Sequence, residues 1–233
     1  MNKTFTLKSS KCKSLKGIIY VPGDKSISHR ALIISAVCLG NSKIFGLLES
    51  DDVLNTLNVL KNLGVEIKKR KNFFEVYGMG GFFNDPLKEL DFGNSGTGIR
   101  LMIGLLSTSN INATFVGDIS LSSRPMLRVI KPLLGMNTRI EHSDGLLPVS
   151  VKKNNNFFLP TKCNLLIGSA QVKSALLLAS LNVKGTTQIT EYFPSRNHTE
   201  IMLKYMGADI EVKKKNKKNI IKLKSPSFLK SKD

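Results

Sequence analysis

Two patterns of apolar and polar positions alternate along the chain, one with helical spacing and one with the shorter spacing of strands. Residues 17–21 form a strand-like run, a Pro-Gly break follows, and the apolar positions of 31–37 predict a helix that begins near Ser26. Residues 101–106 and 174–181 are apolar on nearly every side, which predicts two further helices in the interior. The mixture of patterns indicates an α/β (α+β) fold.

One sequence of helix end, glycine and strand occurs three times. Its glycines are Gly64, Gly135 and Gly207, spaced by 71 and 72 residues, and each is predicted to end a helix in the left-handed conformation. Around each glycine the chain reads as a βαβαββ unit, and these repeats span about 16–80, 88–152 and 156–224. The closing strand pairs are 66–70 with 73–77, 138–142 with 147–151, and 209–213 with 219–223.

Three such repeats predict one domain with approximate threefold symmetry. It covers residues 16–225, after an N-terminal segment 1–15 and before a tail 226–233. Corresponding helix starts should then lie on corresponding faces. The turns at 25–26, 93–96 and 168–169 are therefore expected to converge on one anionic ligand, because helix N-termini attract anions.

Composition limits the class of protein. With 233 residues and 41% hydrophobic content, the chain can bury a large core. It has no run of about 18 apolar residues, and its polar N-terminus is no signal segment, so we expect a cytoplasmic protein that does not cross a membrane. Cys12, Cys38 and Cys163 lack C-x-x-C spacing, and no metal-ligand set is visible in the sequence.

A formal net charge of +18 indicates an affinity for anions. Much of it lies in lysine runs at 68–71 and 213–218, which we interpret as a compositional bias. Binding of single-stranded nucleic acid would favour aromatic residues among these charges, but Trp is absent and most Phe residues lie in apolar runs. An RNA-binding repeat protein stays open as an alternative, although we expect no nucleic acid as partner.

The first chemical motif is PGDKSISHR, residues 22–30. Free N–H groups at the start of the predicted helix, together with the charges of Lys25 and Arg30, would form a binding site for a phosphate or carboxylate. The motif is not a P-loop, because Asp24 precedes Lys25 and Ile18 stands where the first glycine would be. An ordinary capped, solvated helix terminus with no ligand is the alternative, because it would have the same residue types.

The second repeat contributes a glycine-rich turn and an arginine. In residues 90–100 the glycine at Gly96 allows a ligand close to the backbone, and Asn94 supplies both a donor and an acceptor. Arg124 precedes Pro125 at the predicted first position of the repeat's second helix, where a guanidinium could clamp a carboxylate or phosphate. A plain tight turn and an exposed surface arginine are the alternatives.

The third repeat offers polar groups at two helix starts. Ser169 and Gln171 suit hydroxyl groups and phosphate oxygens, while Lys173 is expected to face either the ligand or solvent. Asn197 is a candidate helix cap with Glu200 at capping-box spacing, and Arg196 could reach the same ligand. The histidines have no partner carboxylate at an obvious spacing and are interpreted as structural; they are His29, His142 and His198.

Five of these segments, in this order, resemble the enolpyruvyl transferase family, and within it the EPSP synthases (3-phosphoshikimate 1-carboxyvinyltransferases). They read PGDKSISHRAL, LDFGNSGTG, GDISLSSRPM, SAQVKSA and SRNHTE, and the resemblance runs from about Gly17 to Leu223. The SAQ and NHTE motifs are similar to those of the bacterial class II branch of the family. The sister enzyme that acts on a UDP-amino sugar fits less well, because its reactive cysteine loop has no counterpart here.

The resemblance implies transfer of the enolpyruvyl group of phosphoenolpyruvate to the 5-hydroxyl of shikimate 3-phosphate, without a cofactor, on the way to chorismate. It also implies a two-domain, inside-out α/β barrel fold, of which this chain is the N-terminal portion. Segment 1–15 would pair with the missing second domain, and the tail would mark the interdomain crossover. Most proton-transfer residues would belong to that C-terminal domain, so we expect the isolated chain to be inactive and the complete protein to be a monomer.

The resemblance also implies roles for individual residues. Lys25 and Arg124 are the expected catalytic residues. Shikimate 3-phosphate would be bound by Lys25, Ser26, Arg30, Ser169, Ala170, Gln171 and Arg196. Phosphoenolpyruvate would be bound by Lys25, Asn94, Gly96, Arg124 and Gln171. Glyphosate competes for the phosphoenolpyruvate site in this family, and glycine at position 96 predicts sensitivity. A non-catalytic binding module that has only the anion-binding site is a further alternative to the enzyme.

Overall fold

The chain forms seven helices and eleven strands within the residues that the computed structural model describes, which are 6–12, 14–226 and 228–232. The helices are α1 (Lys25–Val37), α2 (Asp51–Asn62), α3 (Gly96–Leu106), α4 (Ile119–Ser122), α5 (Leu127–Leu134), α6 (Ala170–Ser180) and α7 (His198–Tyr205). The strands are β1 (Leu39–Phe45), β2 (Glu66–Lys69), β3 (Phe73–Met79), β4 (Leu90–Asp91), β5 (Ala113–Val116), β6 (Arg139–Ser143), β7 (Leu146–Lys152), β8 (Lys162–Leu165), β9 (Gly185–Glu191), β10 (Asp209–Lys215) and β11 (Lys218–Ser225).

Three separate open sheets surround the central helices. Their strand orders are β1-β3-β2, β4-β5-β7-β6 and β10-β11-β9-β8. In each sheet the closing pair is antiparallel, as the sequence predicts, and in the second and third sheets a leading strand adds in parallel. The mixed α/β fold is therefore confirmed, whereas the domain boundaries at 16 and 225 stay a prediction.

The strand predicted at 17–21 does not form. Residues 18–21 are exposed, and the position beside the start of β1 is taken instead by the far end of the chain. The Leu39 N–H donates to the Leu229 carbonyl at 2.8 Å, and the Ser231 N–H donates to the Leu39 carbonyl at 3.0 Å. Near the other end of β1 the chain passes close to the sheet at Gly23, where a Cβ would lie 2.1 Å from the Gly46 oxygen.

The glycine that ends α5 also differs from its prediction. Gly64 and Gly207 have the left-handed φ values of 95° and 98°, as expected. Gly135 keeps a right-handed φ of −64°. The turn continues for two residues, and Asn137 takes the left-handed position with φ 61°, which asparagine tolerates better than most side chains.

Helices α1, α3 and α6 form the interior, and the latter two pack backbone against backbone. A Cβ on Gly104 would lie 2.4 Å from the Ala175 carbonyl oxygen, so only glycine allows this approach. The last turns of the three helices border a cavity of about 550 Å³ lined by Val37, Thr108 and Leu181 among others. Their first turns meet at the opposite end. Within the described ranges, no helix is long and apolar enough to cross a membrane.

Candidate active site

The three central helices begin with the same local cap. Asp24 accepts a hydrogen bond from the Ile27 N–H, Ser95 from the Gly98 N–H, and Ser169 from the Val172 N–H. Each of these ends carries the positive end of a helix dipole, although exposure differs: Lys25 is exposed, Ser169 is half-buried and Ser95 is buried. Three equivalent anion-attracting helix starts thus lie at one end of the molecule.

Lys25 is the first residue of α1 and pairs with an acid from α2. Its Nζ lies 2.7 Å from Asp52 Oδ2, and both side chains are partly exposed. Asp52 could not be predicted from the sequence, because an acid in the first turn of a helix is ordinary and nothing in the spacing indicates a lysine 27 residues away. The ammonium therefore stands at the helix start with a countercharge already in place.

A buried histidine connects α1 to the middle of α2 and to the start of α3. His29 Nδ1 lies 2.9 Å from Thr56 Oγ1, and His29 Nε2 lies 3.3 Å from Ser95 Oγ. Burial lowers the pKa of His29 to about 4, with Lys25 and Arg30 acting in the same direction and Asp52 opposing them. The imidazole is therefore neutral near pH 7 and holds the cap of α3 beside the Lys25 turn.

The turn before α3 is joined to Arg124 by side-chain hydrogen bonds. Arg124 Nη2 donates to Asn94 Oδ1 and to Ser120 Oγ, and Asn94 Nδ2 donates to Asp118 Oδ2 at 2.8 Å. Hydrogen bonds from the Leu121 N–H and Asn94, with the charge of Arg124, hold the pKa of Asp118 below its usual value. The prediction that Arg124 stands beside the first helical residue is wrong, because α5 begins at Leu127 with Met126 as its cap.

Arg100, which the sequence analysis did not assign, bridges the second and third repeats. Its Nη1 donates to the Gly96 carbonyl at 3.1 Å and to Gln171 Oε1 at 3.3 Å, and Gln171 Nε2 donates to Thr97 Oγ1 at 3.0 Å. Burial lowers the pKa of Arg100, as do the charges of Arg128 and Arg124. Arg124 and Arg128 therefore both lie within electrostatic range of Arg100 at this end.

Arg30 is buried, and its guanidinium is held by the protein. Its Nε donates to Thr199 Oγ1 at 2.7 Å, Nη1 to the Ser26 carbonyl at 2.8 Å, and Nη2 to Ser174 Oγ at 2.8 Å. A guanidinium has five N–H donors, so two take no part in these three hydrogen bonds. Burial lowers the pKa of Arg30, and the charge of Arg196 lowers it further.

The remaining predicted residues lie around the starts of α6 and α7. Ser169 is half-buried, Ala170 is buried, and Arg196 is exposed on the turn before α7. Lys173 faces neither ligand nor solvent, because it is fully buried in ion pairs with Glu191 and Glu200.

The capping box predicted at the start of α7 is absent from the structure. Asn197 is the N-cap residue, but its side chain caps nothing. Glu200 turns inward to Lys173 instead of back to the cap, because the buried ammonium is the stronger partner.

The structure thus brings the predicted residues to one end of the fold. Lys25 at the start of α1 pairs with Asp52 at the start of α2, Arg124 bonds to Asn94 in the turn before α3, and Gln171 at the start of α6 bonds to Thr97 at the start of α3. No group of three His, Cys, Asp or Glu side chains suited to a metal ion occurs in the described part of the chain. The roles of the single residues in binding stay predictions.

Comparison with known proteins decides the family. The family model described as EPSP synthase (3-phosphoshikimate 1-carboxyvinyltransferase) matches residues 9–228. The chain belongs to the EPSP synthase family. The EPSP synthase segments recognised in the sequence all lie within the matched residues.

Individual EPSP synthases agree in sequence and structure. The 3-phosphoshikimate 1-carboxyvinyltransferase of Nitrobacter winogradskyi is 47% identical over 216 residues, which are 89% of this chain and 48% of the relative. That of Zymomonas mobilis is 44% identical over 227 residues, 96% of this chain and 50% of the relative. A solved EPSP synthase from Acinetobacter baumannii superimposes with a TM-score of 0.84 at 38% identity, covering 92% of this chain and 49% of its own. The chain spans about half the length of the relatives it matches.

Proposed function

We propose that this chain is the first half of an enzyme that transfers the enolpyruvyl group of phosphoenolpyruvate to the 5-hydroxyl of shikimate 3-phosphate. The observation that carries the proposal is a cluster of two hydrogen-bonded pairs, Arg124 with Asn94 and Arg100 with Gln171, whose guanidinium groups both lie beside Gly96. Such a cluster suits two substrates that are both multiply charged anions. Membership of the EPSP synthase family supports the same reaction.

The proposed reaction has two steps. A proton adds to the methylene carbon of phosphoenolpyruvate while the 5-hydroxyl oxygen, losing its own proton, bonds to C2 and gives a tetrahedral intermediate. Phosphate then leaves C2, and a proton leaves the methyl group, which restores the double bond. Lys25 and Arg124 would offset the repulsion between the substrates and stabilise the charge that develops.

The substrates would share the cluster from two sides. Phosphoenolpyruvate would lie against the backbone at Gly96 with Asn94 and Arg124, and shikimate 3-phosphate against Ser26, Ser169 and Ala170. Lys25 and Gln171 would contact both. Arg30 would use its two remaining N–H donors, and exposed Arg196 would close over the phosphate.

The second half of the active site would come from a C-terminal domain. Lys25 is the one general acid or base that we assign within this chain, so a second proton-transfer group has to be supplied by that domain. Under this proposal the complete enzyme is a monomer in the cytoplasm and has neither nucleic acid nor a membrane as partner.

The isolated chain is expected to bind shikimate 3-phosphate without turning it over. Calorimetry should give a saturable one-site titration, and a phosphate-release assay with both substrates should stay at background until the C-terminal half is supplied. Lys222→Met removes one positive charge from the exposed part of β11 and should leave binding unchanged, which controls for an effect of net charge alone. Turnover by the isolated chain would contradict the half-site proposal.

Two other outcomes of the same titrations decide between the alternatives. Shikimate 3-phosphate binding with no turnover after addition of the C-terminal half would indicate a non-catalytic binding module. RNA affinity with a steep salt dependence and no sugar-phosphate binding would indicate an RNA-binding protein instead.

Gly96 predicts the response to glyphosate. A Cβ at this position would lie 3.0 Å from Arg100 Nη1 and 3.1 Å from Arg124 Nη1, so alanine would press on the two guanidinium groups and narrow the anion site. We expect the complete enzyme to be inhibited below millimolar glyphosate, and Gly96→Ala to raise the inhibition constant by roughly 10- to 200-fold, the usual effect of one methyl group in a pocket. Equal inhibition of both forms would contradict this placement.

A further inference from the structure

A buried ion triad lies beneath the turn that carries Arg196. Lys173 of α6 is fully buried, and its Nζ lies 3.0 Å from Glu191 Oε2 and 2.7 Å from Glu200 Oε1. Both carboxylates are buried as well, so the triad holds a formal charge of −1 inside the protein. Charges are costly to bury, and an unbalanced set needs a reason beyond packing.

The triad fixes both ends of the segment 195–200. Glu191, at the end of β9, accepts a hydrogen bond from Ser195 Oγ on its Oε1. Glu200, in the first turn of α7, is tied to Lys173. Since Arg196 lies between these two anchors, its backbone is held from both sides.

Arg30 is held by the sequence neighbours of the same triad. Its Nε donates to Thr199 Oγ1, which adjoins Glu200, and its Nη2 donates to Ser174 Oγ, which adjoins Lys173. The two hydroxyl oxygens lie 2.6 Å apart. A shift of the triad would therefore move the acceptors that orient Arg30.

One oxygen of the triad has no partner. Glu200 Oε2 is buried and makes no hydrogen bond to any residue that the structure describes. A carboxylate oxygen left this way costs folding free energy, which a purely structural ion pair would avoid. The carboxylate also lies within electrostatic range of Arg30, whose pKa it raises against the lowering effects of burial and Arg196.

We propose that Lys173, Glu191 and Glu200 form a positioning unit that aims Arg30 and Arg196 at the phosphate of a sugar-like phosphate monoester. Glu200 is the central positioning residue, since its carboxylate offsets the repulsion of Arg30 by Arg196 and, through Lys173, anchors the turn that carries Arg196. The inference rests on the proposed function, because it assigns the support of the same shikimate 3-phosphate site.

Glu200→Gln tests the unit while keeping the size of the side chain. Calorimetry on the 233-residue chain should show the Kd for shikimate 3-phosphate raised roughly tenfold, because a misplaced clamp loses affinity. If Glu200 acted only through its negative charge, Glu200→Gln would lower the Kd, since removing a negative charge should tighten the binding of an anion. Glu211→Gln, the same change at an exposed position on β10, is the matched control and should not alter the Kd.

The result that would overturn the proposal is a folded Glu200→Gln chain with an equal or lower Kd. Should that chain fail to fold, Ser195→Ala removes the Glu191 anchor without changing any charge, and an unchanged Kd in Ser195→Ala would count against the unit equally. If the wild-type chain does not bind shikimate 3-phosphate, the proposed function fails. The triad is then tested with inorganic phosphate, for which the same roughly tenfold loss is expected.

Discussion

Replacing Lys25 with methionine should lower kcat/KM of the enzyme completed with its C-terminal half by roughly 10²- to 10³-fold, the usual effect of losing one preorganised charged donor. Methionine keeps an apolar stem of similar length but removes the ammonium. The Lys25 Nζ lies 2.7 Å from Asp52 Oδ2, so the variant also leaves that carboxylate unpaired beside the anion site. Both effects act against the binding of two anionic substrates.

A second variant separates the two effects. Lys25→Met with Asp52→Asn removes the unpaired charge as well, and steady-state kinetics should show only a small part of the activity restored. If the double variant regains most of the activity, Lys25 serves to neutralise Asp52 and has no direct part in the reaction. Lys222→Met is again the control for loss of a positive charge, and its kcat/KM should equal that of the wild type.

The parts of the site that could be predicted from sequence are those with local causes. The starts of α1, α3 and α6, which the structure caps with Asp24, Ser95 and Ser169, were recognisable because a short turn of Pro, Gly or Ser precedes an apolar run at helical spacing. The hairpins closing each sheet were recognisable for the same reason. Alternation of apolar residues on two neighbouring strands specifies both the pairing and the buried face.

The missed features depend on contacts between distant parts of the chain. Arg100 reaches Gln171 across 71 residues, and nothing near Arg100 in the sequence distinguishes it from a surface arginine. Lys173 reads as a helix residue free to face solvent until Glu191 and Glu200 are placed around it. The strand expected at 17–21 has the right composition, but the pairing at Leu39 goes to residues near the end of the chain.

The stability of the chain should fall as the pH is lowered from 7 to 5, because of His29. Burial lowers the pKa of its imidazole from the ordinary 6.5 to about 4, so the unfolded chain binds a proton in this range that the native chain does not. The free energy of unfolding is therefore fully present above pH 6.5 and decreases towards pH 4. The loss between pH 7 and pH 5 is about 2 kcal/mol.

Urea denaturation at half-unit pH steps would measure this loss, and it can be assigned to one residue. His29→Gln removes the titration while an amide can still bond to Thr56 and Ser95, so the free energy of unfolding should vary little from pH 7 to pH 5. His142→Gln changes an exposed histidine and should keep the wild-type slope. Carboxylates titrate mostly below this range and contribute equally to the wild type and to His29→Gln, so the difference between the two slopes reports His29. Equal slopes in wild type and His29→Gln would mean that the imidazole is not held neutral between Thr56 and the cap of α3.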